Sequence, residues 1–469
     1  MKMKKLLFSI LLFLSITSTV DGQEMYSYSI DNPSDELLKK SDSGLLSKQQ
    51  AIFDIASLVF SIGEIHPDMF SVCKQGDFFK MLNDIEEKLP DSLTTLKLYQ
   101  LIQPLVVKIG DGHTSLFYPL NDAFKKDTPR IPLSFRVMPN NDITVLFSID
   151  DKIPEGARII KINGVTDSQM FEKMLDYVSG ESMAYKMQKV RNGFAAFFFM
   201  LYSADSYNIE YLKPGEKELC HITLTPCPNH ELFALKKKKQ KESTKDEEKE
   251  IYSFRIMPKE NVAIMDFRSF SDVERMKVFA DSMFTTLRNN NITNLIIDIT
   301  ENGGGNSQVG DVLLRYISPK PFSQFGKYLV RVTPTSQALM KEKVNIGWYS
   351  GEVRDDEMKV PLSDKEGHFK GNVYLLTSSN TFSSASSFAW TFKEFGMGTV
   401  VGEETGGMNV CFGDILEYKL PISGLNAFVS YKRFWQYGAD EKDIHGTIPD
   451  YKVAKHEALT KAISLCTKH

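Results

Sequence analysis

The segment Thr377-Ser-Ser-Asn-Thr-Phe-Ser-Ser-Ala-Ser-Ser387 sets a run of hydroxyls between the apolar stretch Gly371-Asn-Val-Tyr-Leu-Leu376 and Phe388-Ala-Trp-Thr-Phe-Lys-Glu-Phe395, whose aromatics fall at helical spacing. A serine in the first turn of such a helix sits beside unpaired backbone N–H groups and the positive end of the dipole. An oxyanion that develops in acyl transfer can be stabilised there. Ser383 or Ser384 is then either a nucleophile or an ordinary N-cap, for serine is among the commonest capping residues. A serine hydroxyl needs a base to attack at neutral pH. Further segments carry groups that could assist: Asp111-Gly-His-Thr114, Asp298-Ile-Thr-Glu-Asn-Gly-Gly-Gly305, Gly402-Glu-Glu-Thr-Gly-Gly407 and Glu441-Lys-Asp-Ile-His-Gly-Thr-Ile-Pro-Asp450. With an ordinary pKa of about 6.5, His113 suits proton uptake from serine and its return to a leaving amine. The plain alternative is a histidine that only satisfies a polar turn.

In this order the segments resemble the tail-specific, or carboxyl-terminal-processing, serine peptidase family, and its tricorn-core and retinoid-binding-repeat branch more closely than its Ser–Lys branch. The resemblance implies Ser383 as nucleophile, the serine after the Thr-Phe pair. Met408 stands where the Ser–Lys branch has its lysine, whereas His113 matches the histidine base of the other branch. That branch orients its histidine with an acidic residue shortly before a Gly-Ile-x-Pro-Asp type terminus. Here the terminus reads Gly446-Thr-Ile-Pro-Asp450, and counting back from Pro449 gives Asp443, with Glu441 close by. Either is otherwise a surface charge, and His445 is a competing base. The glycines after Asp298 can approach a carbonyl without a Cβ, so Gly304 first, then Gly303 and Gly305, are expected to join the Ser384 N–H in an oxyanion hole. A tight turn between strand and helix would need the same glycines. Two positions depart from the family pattern: Thr300 where arginine is common, and Ser386 where glutamate is usual.

The elements that must position these residues follow from periodicity. Apolar residues at i, i+3 and i+4 predict helices between about 45 and 110, broken at Pro67 and Pro90. Short β-rich runs follow, among them Gly156-Ala-Arg-Ile-Ile-Lys-Ile-Asn-Gly164, a strand ending in an Asn-Gly turn. Beyond residue 252 strands alternate with helices, which implies a largely parallel sheet covered on both faces, with ligands at the carboxyl ends of its strands. Joined with the resemblance, the expected organisation is a signal peptide over 1–22, a helical N-terminal region over 23–120 ending in the DGHT segment and a PDZ-like module over 121–228. A charged loop over 229–252 and an α/β core of the ClpP/crotonase-like type over 253–469 complete it. Such a module either captures a polypeptide end or extended segment at a sheet edge or is purely structural.

A length of 469 residues, 42% apolar and 25% charged, fits a multidomain globular protein. Its net charge of −4 gives no electrostatic case for nucleic acid. Met1-Lys-Met-Lys-Lys5 followed by Leu6 to Leu14 reads as a secretory signal, and no other apolar run reaches membrane-spanning length. The expectation is an exported protein, periplasmic or extracellular, with an uncleaved anchor as the alternative. Five cysteines leave at least one thiol free or paired between chains. No CxxC, HExxH or calcium-loop pattern supports a metal, and no cofactor is expected. The leading expectation is a serine endopeptidase acting on extended or unfolded polypeptides through an acyl-enzyme. Its alternatives are a catalytically inactive peptide- or apolar-ligand-binding protein on the same fold, and an esterase or amidase.

Overall fold

The computed structural model describes residues 35–39, 44–120, 124–242, 250–341 and 343–467. The signal pattern lies outside them. The first expected helices are present as Lys48–Ile65, Gln75–Glu87 and Thr95–Val107. The first ends at His66, whose extended backbone (ψ 131°) is what the following Pro67 demands.

Residues 133–224 build an antiparallel sheet from Leu133–Val137, Ile143–Ser148, Arg158–Ile162, Tyr207–Leu212 and Leu219–Leu224. Helices Asp167–Leu175 and Met183–Tyr202 cover one face with Met170, Phe194 and Phe198. The lysine-rich block, expected as a loop, is helical over Asn229–Glu242. Lysine and glutamine are good helix formers, and the buried Asn229 Oδ1 anchors this helix by accepting from Arg130 Nη1 at 3.1 Å.

The C-terminal part holds the strands Tyr252–Met257, Val262–Phe267, Asn294–Asp298, Asn372–Thr377, Thr399–Gly402 and Tyr451–Lys452 in that spatial order. The first pair is antiparallel and the rest parallel. Alternate side chains enter separate cores: Ala263, Met265, Leu295 and Ile297 pack against helices on one face, while Val262, Ile264, Ile296 and Leu376 meet Ala458 and Ala462 of helix Lys455–Cys466 on the other. Two buried faces explain the nearly unbroken apolar runs.

A second, antiparallel sheet was not legible in the sequence: Gly347–Glu352, Phe325–Val332, Asn426–Gln436 and Val410–Lys419, in that order. The short strand Ser115–Leu116 pairs with Asn426–Gln436 through Leu116 opposite Ala427 and Ser115 opposite Phe428. This sheet also supplies Leu416, Ala427 and Val429 to the core of the N-terminal helices. The buried Asp54 carboxylate accepts the Ile422 and Ser423 N–H groups at 2.9 and 2.7 Å. These ties bring the DGHT loop over the parallel sheet.

Candidate active site

Strands Asn294–Asp298 and Asn372–Thr377 are parallel neighbours, with Asp298 opposite Leu376, so the loops leaving their carboxyl ends lie side by side. The hydroxyl run knits them together. Ser378 Oγ donates to Thr300 O at 2.5 Å, Thr381 Oγ1 to Ile299 O at 3.0 Å and Ser384 Oγ to Gly305 O at 2.5 Å. Thr377 donates to Glu403 O, Ser379 to the Glu403 carboxylate and Ser386 to Thr381 O, and Ser387 accepts from Gln436 Nε2. Ser383 is the exception. It occupies the N-cap position of helix Ser384–Glu394 but makes no side-chain capping bond; its Oγ lies 3.0 Å from His113 Nε2, across 270 residues of sequence.

The backbone explains how that hydroxyl is presented. Ser383 has φ 55° and ψ −129°, a region that L-residues rarely occupy at a cost of about 1–3 kcal/mol. Such a sharp strand-to-helix turn lifts a serine out of the helix and toward a base. Glycine at 304 permits the neighbouring loop to close in: with φ 96°, a Cβ there would stand 2.8 Å from Phe382 O, Ser383 Cβ and Ser384 N. Gly304 N–H donates to Asn302 Oδ1 at 2.9 Å, so the first-choice oxyanion donor is engaged. The N–H groups of Ser384, Gly303 and Gly305 have no acceptor among the described residues.

His113 is held at its backbone and at its ring. Its backbone N–H donates to Asp111 Oδ1 at 2.9 Å, and its ring stacks on Phe382 with centroids 4.6 Å apart. Phe382 in turn stacks on Tyr185 at 4.2 Å. The side chain keeps 16% exposure, leaving an approach for substrate. Asp111 is buried: Oδ2 accepts the Thr114 and Ser430 hydroxyls at 2.5 and 2.6 Å and faces His66 Nε2 at 3.4 Å. His66 Nδ1 accepts the Asp68 N–H, so the His66 proton sits on Nε2, toward Asp111. Burial pushes the Asp111 carboxyl up, but hydrogen bonds and charges of His113 and His66 outweigh it and hold it well below the usual carboxylate range. Burial likewise disfavours the His113 imidazolium, yet Asp111, Glu181 and Asp414 reverse the balance and raise its pKa.

The acidic residues expected from the C-terminal motif do not reach this histidine. Asp443 accepts the Asp440 N–H at 2.8 Å and faces His445 Nε2 at 3.5 Å, closing its own turn. Glu441 accepts from Arg433 Nη2 at 2.7 Å and Trp435 Nε1 at 2.9 Å. Glu441 is thereby tied to strand Asn426–Gln436. His445 Nδ1 lies 2.7 Å from Gly446 O, and this ring pairs with Asp443. The carboxylates beside His113 are instead Asp111 and Glu181. One donor atom of each residue lies within 4.8 Å of the others, a spacing that could also hold a metal ion. Asp111 was visible in the DGHT segment without a role, whereas Glu181 belongs to no motif. Its one sequence signal is Ser182, which caps the following helix. The departures have structural uses: Thr300 N and Oγ1 bind Asp298 Oδ1, and Gly407 N–H donates to Ser386 Oγ. Cys411 is no rival nucleophile, for burial and then the Glu181 and Asp111 charges push its thiol pKa up. All five cysteines are free.

Arranged this way, a hydroxyl, an imidazole and unengaged amides at a helix start can perform nucleophilic acyl transfer. Comparison with known proteins agrees. Residues 261–453 match the model of peptidase family S41; the matched span contains Ser383 and the glycine loop but not His113. Solved structures with a similar fold include a serine-to-alanine mutant of CPAF (TM-score 0.62, 11% identity, 90% of this chain and 97% of that one). Mature CPAF matches at 0.60 and 12% identity over 89% and 95% of the two chains. Mature CPAF complexed with lactacystin matches at 0.59 and 12% over 89% and 96%. Residues 261–453 are thus similar to peptidase family S41, and that likeness supports a serine-type peptidase.

Proposed function

We propose that this peptidase cleaves extended or unfolded polypeptides through an acyl-enzyme formed on Ser383. The observation that carries this reading is the 3.0 Å contact between His113 Nε2 and the Oγ of a serine held in a strained, uncapped conformation at a helix start. His113 takes the hydroxyl proton as Oγ attacks the scissile carbonyl, then returns it to the departing amine; a water deprotonated by the same nitrogen releases the acyl group. The Ser384 N–H and one glycine amide of the 303–305 loop receive the oxyanion. Beside the site, a cavity of about 450 Å³ reaches from Gly112 to Phe117, Tyr118, Phe197 and Met200, a mainly apolar lining suited to side chains that an unfolded segment exposes. A PDZ-like role for the β-rich module, a core of the ClpP/crotonase-like type and export directed by residues 1–22 complete the proposal.

The test is labelling of the purified protein with a fluorophosphonate, the modified peptide mapped by mass spectrometry, with lactacystin as a second probe. Labelling at Ser383 that disappears in Ser383→Ala and falls at least about 10²-fold in His113→Ala is expected. Peptide hydrolysis that survives Ser383→Ala would sink the mechanism.

A further inference from the structure

The Ser383–His113 pair leaves one ring nitrogen unaccounted for. When Nε2 accepts the serine proton, Nδ1 carries the other and needs an acceptor; Nδ1 is buried and has no hydrogen-bond partner. Asp111 Oδ1 stands 3.8 Å from Nδ1, longer than an ordinary hydrogen bond, and already accepts the His113 N–H while Oδ2 accepts the Thr114 and Ser430 hydroxyls, so from there Asp111 holds the ring's charge without closing on Nδ1. Glu181 is the reverse case: both carboxylate oxygens are buried and neither has a side-chain hydrogen-bond partner, only the Gly112 and Glu181 backbone N–H groups lying close enough to favour its charge. A buried carboxylate so thinly partnered is costly unless something else retains it. The DGHT glycine makes room for it, since a Cβ at Gly112 would meet Glu181 Oε2 at 2.6 Å and Phe382 at 2.8 Å.

Building on the reading of Ser383 and His113 given above, we propose that Glu181, carried by the β-rich module rather than by the core, is the positioning carboxylate of this active site. As Ser383 Oγ gives its proton to Nε2, the Nδ1–H of the resulting imidazolium turns to a Glu181 oxygen; no proton leaves the histidine at this step, and the carboxylate stays ionised. Glu181 sits between helices Asp167–Leu175 and Met183–Tyr202, beside Ser182, which donates to Gly406 O, and Tyr185, which stacks on Phe382. The module thus completes the site of the core. The groups facing Glu181 are Asp111 and His113 from the DGHT loop, Tyr185 from its own helix and Cys411 from strand Val410–Lys419; Asp414 faces His113 from that strand, Arg433 faces Cys411 from the next, and His66 lies behind Asp111. Burial and then the Asp111 charge push the Glu181 carboxyl up to about 7, against the pull of His113, so a charge on His113 favours ionisation of Glu181.

Two measurements on the full chain test this. The first is the rate of fluorophosphonate labelling from pH 5 to 9 for wild type, Glu181→Gln, Glu181→Asp and Asp443→Asn. The second follows the His113 imidazole by NMR titration in Ser383→Ala with and without Glu181→Gln. Glu181→Gln is expected to slow labelling about 10²-fold, with part of the rate regained in Glu181→Asp and all of it kept in Asp443→Asn. It is also expected to lower the His113 titration midpoint by about one unit. A folded Glu181→Gln protein that labels within about threefold of wild type, with the His113 midpoint unmoved, overturns the proposal. Wild type that fails to label at Ser383 while the His113 midpoint still shifts overturns the underlying reading and upholds the Glu181–His113 pairing.

Discussion

On the proposed reading, His113 works beside two buried carboxylates, and its titration sets the pH range in which Ser383 can lose its proton. The histidine must be neutral to act as base, and its pKa is raised above the ordinary 6.5. The acid limb of kcat/KM is therefore expected above pH 6.5, read from initial rates on an unfolded substrate. Stability carries the opposite signature at Glu181. A folded-state value raised from 4.5 to about 7 means that stability is fully present below pH 4.5 and lost as pH rises toward 7. Glu181→Gln should raise the melting temperature at pH 8 and leave it nearly unchanged at pH 4.5, as calorimetry would show. Asp443→Asn and Glu441→Gln should hydrolyse peptides within about threefold of wild type, because their partners are His445, Arg433 and Trp435. Ser383 and His113 were legible because each sits in a local motif. Glu181 was not, since a lone acidic residue before a capped helix has no pattern that distinguishes it from a surface charge.

Among the elements, the glycine loop and the serine turn act as one unit. Gly304→Ala places a Cβ at φ 96° against three atoms of that turn. It is expected to cost at least about 10²-fold in labelling rate while circular dichroism stays native, because the clash is confined to the site. The parallel strands were readable from sequence because both of their faces are buried. The antiparallel strands were not: Phe325–Val332 sets glycine, lysine and arginine among its apolar residues and buries only Val330 and Val332, and the aromatics of Gly347–Glu352 are exposed, so no clean alternation marks them. The pairing of Ser115–Leu116 with Asn426–Gln436 is a long-range register that local periodicity does not encode.

Over the whole molecule, the proposed base comes from the N-terminal helical region, the proposed nucleophile from the α/β core and the Glu181 carboxylate from the β-rich segment between them. Asp54 is one fastening of this arrangement. Asp54→Ala would leave two buried N–H groups without an acceptor, and a loss of about 2–4 kcal/mol is expected from the shift of the urea midpoint. The Asp111 loop is fastened in the same way, by Ser430. This wiring has a consequence for timing. A ribosome releases chains from the amino end, so His113 emerges long before Ser383, and strand Asn426–Gln436, which docks the histidine loop, emerges later still. On the proposed reading, the histidine and serine can meet only after nearly the whole chain has been made.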